Sequence, residues 1–124
     1  MKAVAMDHLV LEVRDVDRAL GFYRDVLGLP AERLDRFRRG EVPFPSVRVG
    51  PLLIDLFVVP DPGPGPNHFC LEVDASPVDL VSALDAAHIA HTEPGLRFGA
   101  RGDGTSVYVH DPDGHQVEIR TYRS

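Results

Sequence analysis

Two histidines, His8 and His68, stand in matching contexts, DHLVLEV (7–13) and NHFCLEV (67–73), at an offset of 60. Two carboxylates repeat as well: Ile54-Asp55-Leu56 aligns with Val117-Glu118-Ile119 at an offset of 63. Read with the two-residue period of a strand, the apolar residues Leu9, Leu11 and Val13, and their counterparts Phe69, Leu71 and Val73, take one face. His8, Val10 and Glu12, and His68, Cys70 and Glu72, take the other. On the later strands Asp55 and Phe57, then Ser106, Tyr108 and His110, then Gln116, Glu118, Arg120 and Tyr122, also fall on the non-core face.

Two imidazoles and a carboxylate from separate strands suit a borderline divalent cation, which takes neutral nitrogens and an anionic oxygen and keeps positions open for substrate or water. Strands suit the task because ligand atoms must be held within about half an ångström. His8, His68 and Glu118 are therefore the candidate metal residues. Asp55 is the candidate fourth, as a ligand, as the holder of a bound water, or as a brace behind the ligands. A lone strand histidine is more often structural, and a lone mid-strand glutamate is usually a wet edge. The repetition in register is what favours the metal, because solvated residues have no need to repeat.

Other reactive side chains carry less. Tyr108 either donates a hydrogen bond to a developing oxyanion or is a plain strand aromatic. Cys70 reads as a small buried hydrophobe rather than a ligand. His88 and His91 flank a helix end, where an imidazole suits the dipole. His110 and His115 bracket a turn, with His115 on the core-side register. Arg48, by alternation, faces the cleft and would attract an anionic substrate.

The elements that must position these residues are also written twice. After each histidine strand comes a helical pattern. The first runs from about Asp15 to Leu27, with Val16, Ala19, Leu20, Tyr23, Val26 and Leu27 as its apolar stripe and Gly28 to end it. The second is capped by Ser76, with Pro77 at its first position and Asp79 three residues after the cap. Strand-like runs follow each helix: PSVRVG and LLIDLFVV, then TSVYVH and HQVEIRTY. The last two flank Asp111-Pro112-Asp113-Gly114, a tight turn in which Asp111 bonds the backbone and Gly114 allows a positive φ. The turn sets Tyr108 and Glu118 in register on neighbouring strands. Alternating Pro and Gly at 60–66 reads as a linker.

The expectation is a single domain over 1–124 of α+β class, with a first module at about 1–59 and a second at about 67–124. Each module is a strand, a helix and two or three strands. Helices would cover one face of the sheets and leave the other as a cleft. Repeats of this size are too small to be stable alone and should share a core.

The composition, 44% apolar and 26% charged with a formal net charge of -6, gives no basic footprint for nucleic acid or anionic membrane. The Arg36, Arg38 and Arg39 group reads as solvated loop. No run approaches the roughly 20 apolar residues of a membrane span. The N-terminus shows no charged region followed by a cleavage site, so a cytoplasmic location is expected. A single cysteine excludes an intrachain disulfide and a thiolate metal cluster.

At these residues the chain resembles the vicinal oxygen chelate superfamily of glyoxalase I, fosfomycin resistance thiol transferases, extradiol dioxygenases, methylmalonyl-CoA epimerase and bleomycin resistance proteins. The resemblance rests on DHLVLEVRDVDRALGFYRDVLGL for the opening strand and helix, NHFCLEV for the third-quarter strand, and SVYVHDPDGHQVEI for the closing hairpin. It implies paired βαβββ modules forming a cup of mixed sheet around one divalent metal, which substrates chelate through two neighbouring oxygens. It implies His8, His68 and Glu118 as metal residues, with Asp55 where glyoxalase I-like members place another carboxylate. It also implies chemistry at Tyr108 and Glu118, and a homodimer whose cup closes within one chain or by exchange of halves.

The resemblance makes the chain an enzyme of glyoxalase-like lyase or isomerase, thiol transferase or dioxygenase-like type, using Fe, Mn, Zn or Ni on a small-molecule substrate. The extra cleft histidines of extradiol dioxygenases are missing at Leu53 and Gly99, which disfavours ring cleavage. The loops that serve glutathione in glyoxalase I-like members are missing too. The alternative is a non-catalytic protein that sequesters a small molecule or drug, as bleomycin resistance proteins do. Those lack the metal triad that this chain keeps.

Overall fold

A computed structural model describes residues 2 and 4–124. The chain divides into two compact units, Met1–Gly65 and Pro66–Ser124, a boundary that falls inside the expected 60–66 linker.

The first unit begins with strand β1 (His8–Val13) and helix α1 (Val16–Leu20), which continues as a π-helical turn over Gly21–Val26. Asp15 caps α1 by accepting from Arg18 N at 2.8 Å. The wide turn shows in the five-residue bond Leu27 N to Phe22 O, and Leu29 N to Tyr23 O closes the end of the segment. Gly28 follows at φ +73°, a left-handed conformation that ends the helix as its position predicts. Then come β2 (Ala31–Glu32), a short helix α2 (Leu34–Arg38), β3 (Ser46–Val49) and β4 (Leu52–Val58). The sheet order is β1-β4-β3-β2, with β1 and β4 parallel and the other pairs antiparallel.

The second unit repeats this plan with β5 (Phe69–Glu72), α3 (Pro77–Ala86), β6 (Gly95–Gly99), β7 (Gly102–His110) and β8 (Gln116–Thr121). Its sheet order is β5-β8-β7-β6, again with the first pair parallel. The Ser76 hydroxyl accepts from Asp79 N at 3.1 Å, and Pro77 opens α3. Each unit is thus a βαβββ module with its own mixed four-stranded sheet, and the class is α+β.

Alternation decides the cores. Leu11, Val13, Ile54 and Leu56 of the first sheet are completely buried, together with Ala19, Leu20 and Tyr23 of the adjoining helical segment. In the second unit Val107, Val109, Val117 and Ile119 are buried, as are Leu80 and Leu84 of α3. Each such side chain contributes on the order of 1.5–3 kcal/mol through removal from water. These contributions hold the strands in a register that a one-residue slip would invert.

Two local expectations change. Arg36 and Arg38 lie on α2 rather than in a loop, where Arg38 bonds Asp17 at 2.8 Å; Arg39 follows at its end and pairs with Glu41. Strands β2 and β6 lack a strong alternating signal. β2 is only two residues long, and β6, Gly-Leu-Arg-Phe-Gly, is bounded by glycines that weaken strand propensity. Among the described residues, no helix is long and apolar enough to cross a membrane.

Candidate functional site

In the second module the turn after β7 is built as its residues require. Gly114 N bonds Asp111 O at 3.0 Å, while Asp111 Oδ1 accepts from Asp113 N and His115 N. Gly114 takes φ +87°. This closure places Tyr108 directly opposite Glu118, as expected.

Glu118 is only 6% exposed, so the wet-edge reading fails. Its Oε1 accepts from Ser106 Oγ at 2.7 Å and from Arg120 Nη2 at 3.1 Å. Its Oε2 is 3.4 Å from His68 Nε2. Burial pushes the Glu118 carboxyl up. The hydrogen bonds from Ser106 and Arg120, with the Arg120 charge, outweigh burial and hold it below the ordinary glutamate value. The other ring nitrogen of His68, Nδ1, lies 2.8 Å from Asn67 Oδ1. That oxygen accepts a hydrogen bond from Nδ1–H and leaves Nε2 directed at Glu118. The Tyr108 ring meets the His68 ring edge-to-face at 5.7 Å.

The first module repeats the arrangement. His8 Nδ1 bonds Asp7 Oδ2 at 2.8 Å, which, against some desolvation, raises the imidazole pKa and leaves Nε2 outward. Asp55 is 6% exposed and accepts from Ser46 Oγ at 2.6 Å. Asp55 lies opposite Val10 and Glu118 opposite Cys70. Val10 and Cys70 are themselves 60 residues apart, which confirms the alignment of the two carboxylates. Each module therefore brings one imidazole, one carboxylate, a neighbour engaging Nδ1 and a serine orienting the carboxylate.

Ser106 lies on the non-core face as its alternation predicts, and both serines carry a further sequence signal. Ser46-Val47-Arg48-Val49 and Ser106-Val107-Tyr108-Val109 share the pattern Ser-Val-x-Val at the same offset of 60 as the histidines. Ser46 stands directly opposite Asp55. Ser106 stands opposite Arg120 and reaches Glu118 diagonally, because the second hairpin is longer.

Two side chains depart from expectation. Cys70 is exposed rather than buried, since it shares the face of Glu118 and not that of Leu71. Partial desolvation of its sulfur, followed by the Glu118 charge, raises its pKa and favours the protonated thiol. Arg48 is held by Glu32 through two bonds of 2.8 and 3.0 Å, so its charge is already matched. Glu12 accepts from Gly63 N at 2.7 Å and Glu72 pairs with Arg101, so both have structural partners. His115 is buried beside the turn, consistent with a bracing role.

Among the described residues, no group of three or more histidine, cysteine or carboxylate side chains is already gathered to hold one ion. The paired donors within each module nevertheless fit a divalent cation. His68 Nε2 and Glu118 Oε2 are electron-rich atoms facing each other at 3.4 Å, and Oε1 is already occupied.

The chain is similar to known proteins over nearly its whole length. The family model described as Glyoxalase/Bleomycin resistance protein/Dioxygenase superfamily matches residues 5–119. Virulence protein STM3117 of Salmonella typhimurium is 34% identical, over 94% of this chain and 83% of that protein. Its crystal structure superposes with a TM-score of 0.82 at 31% identity, covering 98% of this chain and 99% of the other. A probable lactoylglutathione lyase of Synechocystis is 28% identical over 90% of this chain and 91% of its own length.

Proposed function

The chain belongs to the glyoxalase/bleomycin resistance protein/dioxygenase superfamily, and from that premise we propose that it is a divalent-metal-dependent enzyme acting on a small molecule that chelates through neighbouring oxygens. The observation that carries this reading is the duplicated, pre-oriented pair: His8 with Asp55, and His68 with Glu118, each carboxylate fixed by a serine. His8, His68 and Glu118 would hold the ion, with Asp55 as the fourth residue. The ion, when bound, supplies Lewis-acid polarisation of the substrate oxygens. Fe, Mn, Zn and Ni all suit this donor set, and affinity order alone does not select one.

The chain's own residues do the rest. Asp7 and Asn67 fix the histidine rings through Nδ1, the orientation expected of imidazoles that present Nε2 to a cation. Ser106 and Arg120 hold Glu118 ionised and aimed through Oε2. Tyr108, packed on His68, would donate a proton or a hydrogen bond to a substrate oxygen. A homodimer and a cytoplasmic location belong to the same reading.

The test is turnover of protein reconstituted with each of Fe(II), Mn(II), Ni(II) and Zn(II). The substrates are a 2-oxoaldehyde hemithioacetal, an epoxide with a thiol, and a catechol. Turnover with at least one, abolished by chelator and by Glu118→Gln, supports the proposal. Stoichiometric ligand binding that survives chelator without turnover would replace it with the sequestering protein.

A further inference from the structure

Beside Glu118 the second module contains a cavity of about 270 Å³, lined in part by Cys70, Phe98, Gly99, Arg120 and Tyr122. Its polar wall is unusually committed. Arg120, 4% exposed, donates through Nη1 to Gly102 O and the Tyr122 hydroxyl, and through Nη2 to Arg97 O, Phe98 O and Glu118. The Tyr122 hydroxyl accepts from Arg120 Nη1 at 3.1 Å and from the Arg101 backbone N–H at 3.2 Å. A phenol oxygen can accept and also donate one proton. Here both accepting directions are taken, and the phenol proton finds no acceptor among the described residues.

The formal charges around the cavity cancel. Glu118 is paired with Arg120, and Glu72 with Arg101, whose guanidinium also stacks 4.5 Å from the Tyr122 ring. An anion would therefore meet no unmatched formal charge, whereas a neutral acceptor would meet the Tyr122 O–H; Arg120 Nε, the other donor without a partner, is buried out of reach. Phe98, 86% exposed, offers an apolar flank. Gly99 lets the cavity wall pack against β6: a Cβ there would sit 1.8 Å from Arg120 Nη1 and 2.8 Å from the Tyr122 oxygen.

We propose that this cavity is a subsite for a neutral carbonyl group carried on an apolar or aromatic part of the substrate, with the Tyr122 hydroxyl as its hydrogen-bond donor and Arg120 as the positioning residue. The subsite rests on the reading of this face as the small-molecule site, and it is independent of metal identity.

The experiment is an NMR titration of metal-free, ¹⁵N-labelled protein with benzamide, benzoate and thiobenzamide. Benzamide should produce saturable shifts at the amides of Gly99, Arg101 and Tyr122. Benzoate, as an anion, and thiobenzamide, with its weaker acceptor, should bind several-fold less tightly. Tyr122→Phe should weaken benzamide about fivefold, the worth of one net hydrogen bond. The absence of saturable shifts at these amides overturns the subsite. Equal affinity for thiobenzamide, or tighter binding of benzoate, overturns the carbonyl assignment without needing a variant. Unchanged affinity in a folded Tyr122→Phe overturns the role of Tyr122. No metal is present, so failure of the metal proposal does not mimic any of these outcomes.

Discussion

His68 and Glu118 approach through Nε2 and Oε2 at 3.4 Å, while the other atom of each group is already engaged, Nδ1 by Asn67 and Oε1 by Ser106 and Arg120. Two lone pairs at that separation repel unless a positive charge lies with them. A second proton on the imidazole or a divalent cation satisfies the pair, and the orientation of both groups is set before either arrives.

Acid stability follows from the depressed carboxyl of Glu118. A carboxylate held below its unfolded value contributes stability that is present above that value and is lost as pH falls through the native value. The contribution should begin to fall near the ordinary value of 4.5 and be gone below the depressed native one. Urea denaturation of metal-free protein between pH 7 and 3 should show this slope. Glu118→Gln should be less stable at pH 7 and show a shallower acid limb.

Removing the countercharge is a harsher change. Arg120→Met would leave a buried carboxylate facing only Ser106 and His68, and would strip hydrogen bonds from Gly102, Arg97 and Phe98 carbonyls. Breaking a buried pair in this way costs about 3–5 kcal/mol. The acid limb should also move to higher pH, because Glu118 then titrates more readily. Chemical denaturation at several pH values measures both effects.

Ser106→Ala separates orientation from charge. The carboxylate keeps Arg120 but loses the 2.7 Å bond that fixes Oε1. A loss of about 1–2 kcal/mol is expected in unfolding experiments. Metal affinity should drop about 10- to 100-fold, the usual cost of losing a group that orients a ligand. Ser46→Ala should do the same to Asp55 in the first module.

Gly99→Ala tests the close approach of Arg120 to the β6 backbone. The added Cβ, 1.8 Å from Nη1, must displace a guanidinium held by several acceptors. Overpacking of this kind costs about 1–3 kcal/mol. A thermal unfolding curve lowered relative to wild type is the expected result.

Much of the fold could be read directly because it is duplicated. The repeated His-x-x-Leu-Glu-Val strands, the cap at Ser76, Gly28 and the Asp111–Gly114 turn each state a local rule that the structure obeys. Within each sheet, period-two alternation located the face that carries His8 and Asp55 in the first unit and His68 and Glu118 in the second. It did not tell which polar groups on that face bond one another, since such partners are set by register between distant strands. Alternation therefore puts Ser106 on that face without naming Glu118 as its partner, and it indicates neither the Ser46–Asp55 bond nor the Arg48–Glu32 pair. Cys70 was misassigned because its hydrophobicity was weighed above its strand position.

The most direct test of the metal proposal is elemental analysis of purified tag-free protein after reconstitution with Fe, Mn, Ni or Zn, wild type beside His8→Ala, His68→Ala and Glu118→Gln. About one equivalent per chain in the wild type, lost in all three variants while their folds persist, is the predicted result. No bound metal in the wild type under any of these conditions, or undiminished binding in the variants, would contradict it.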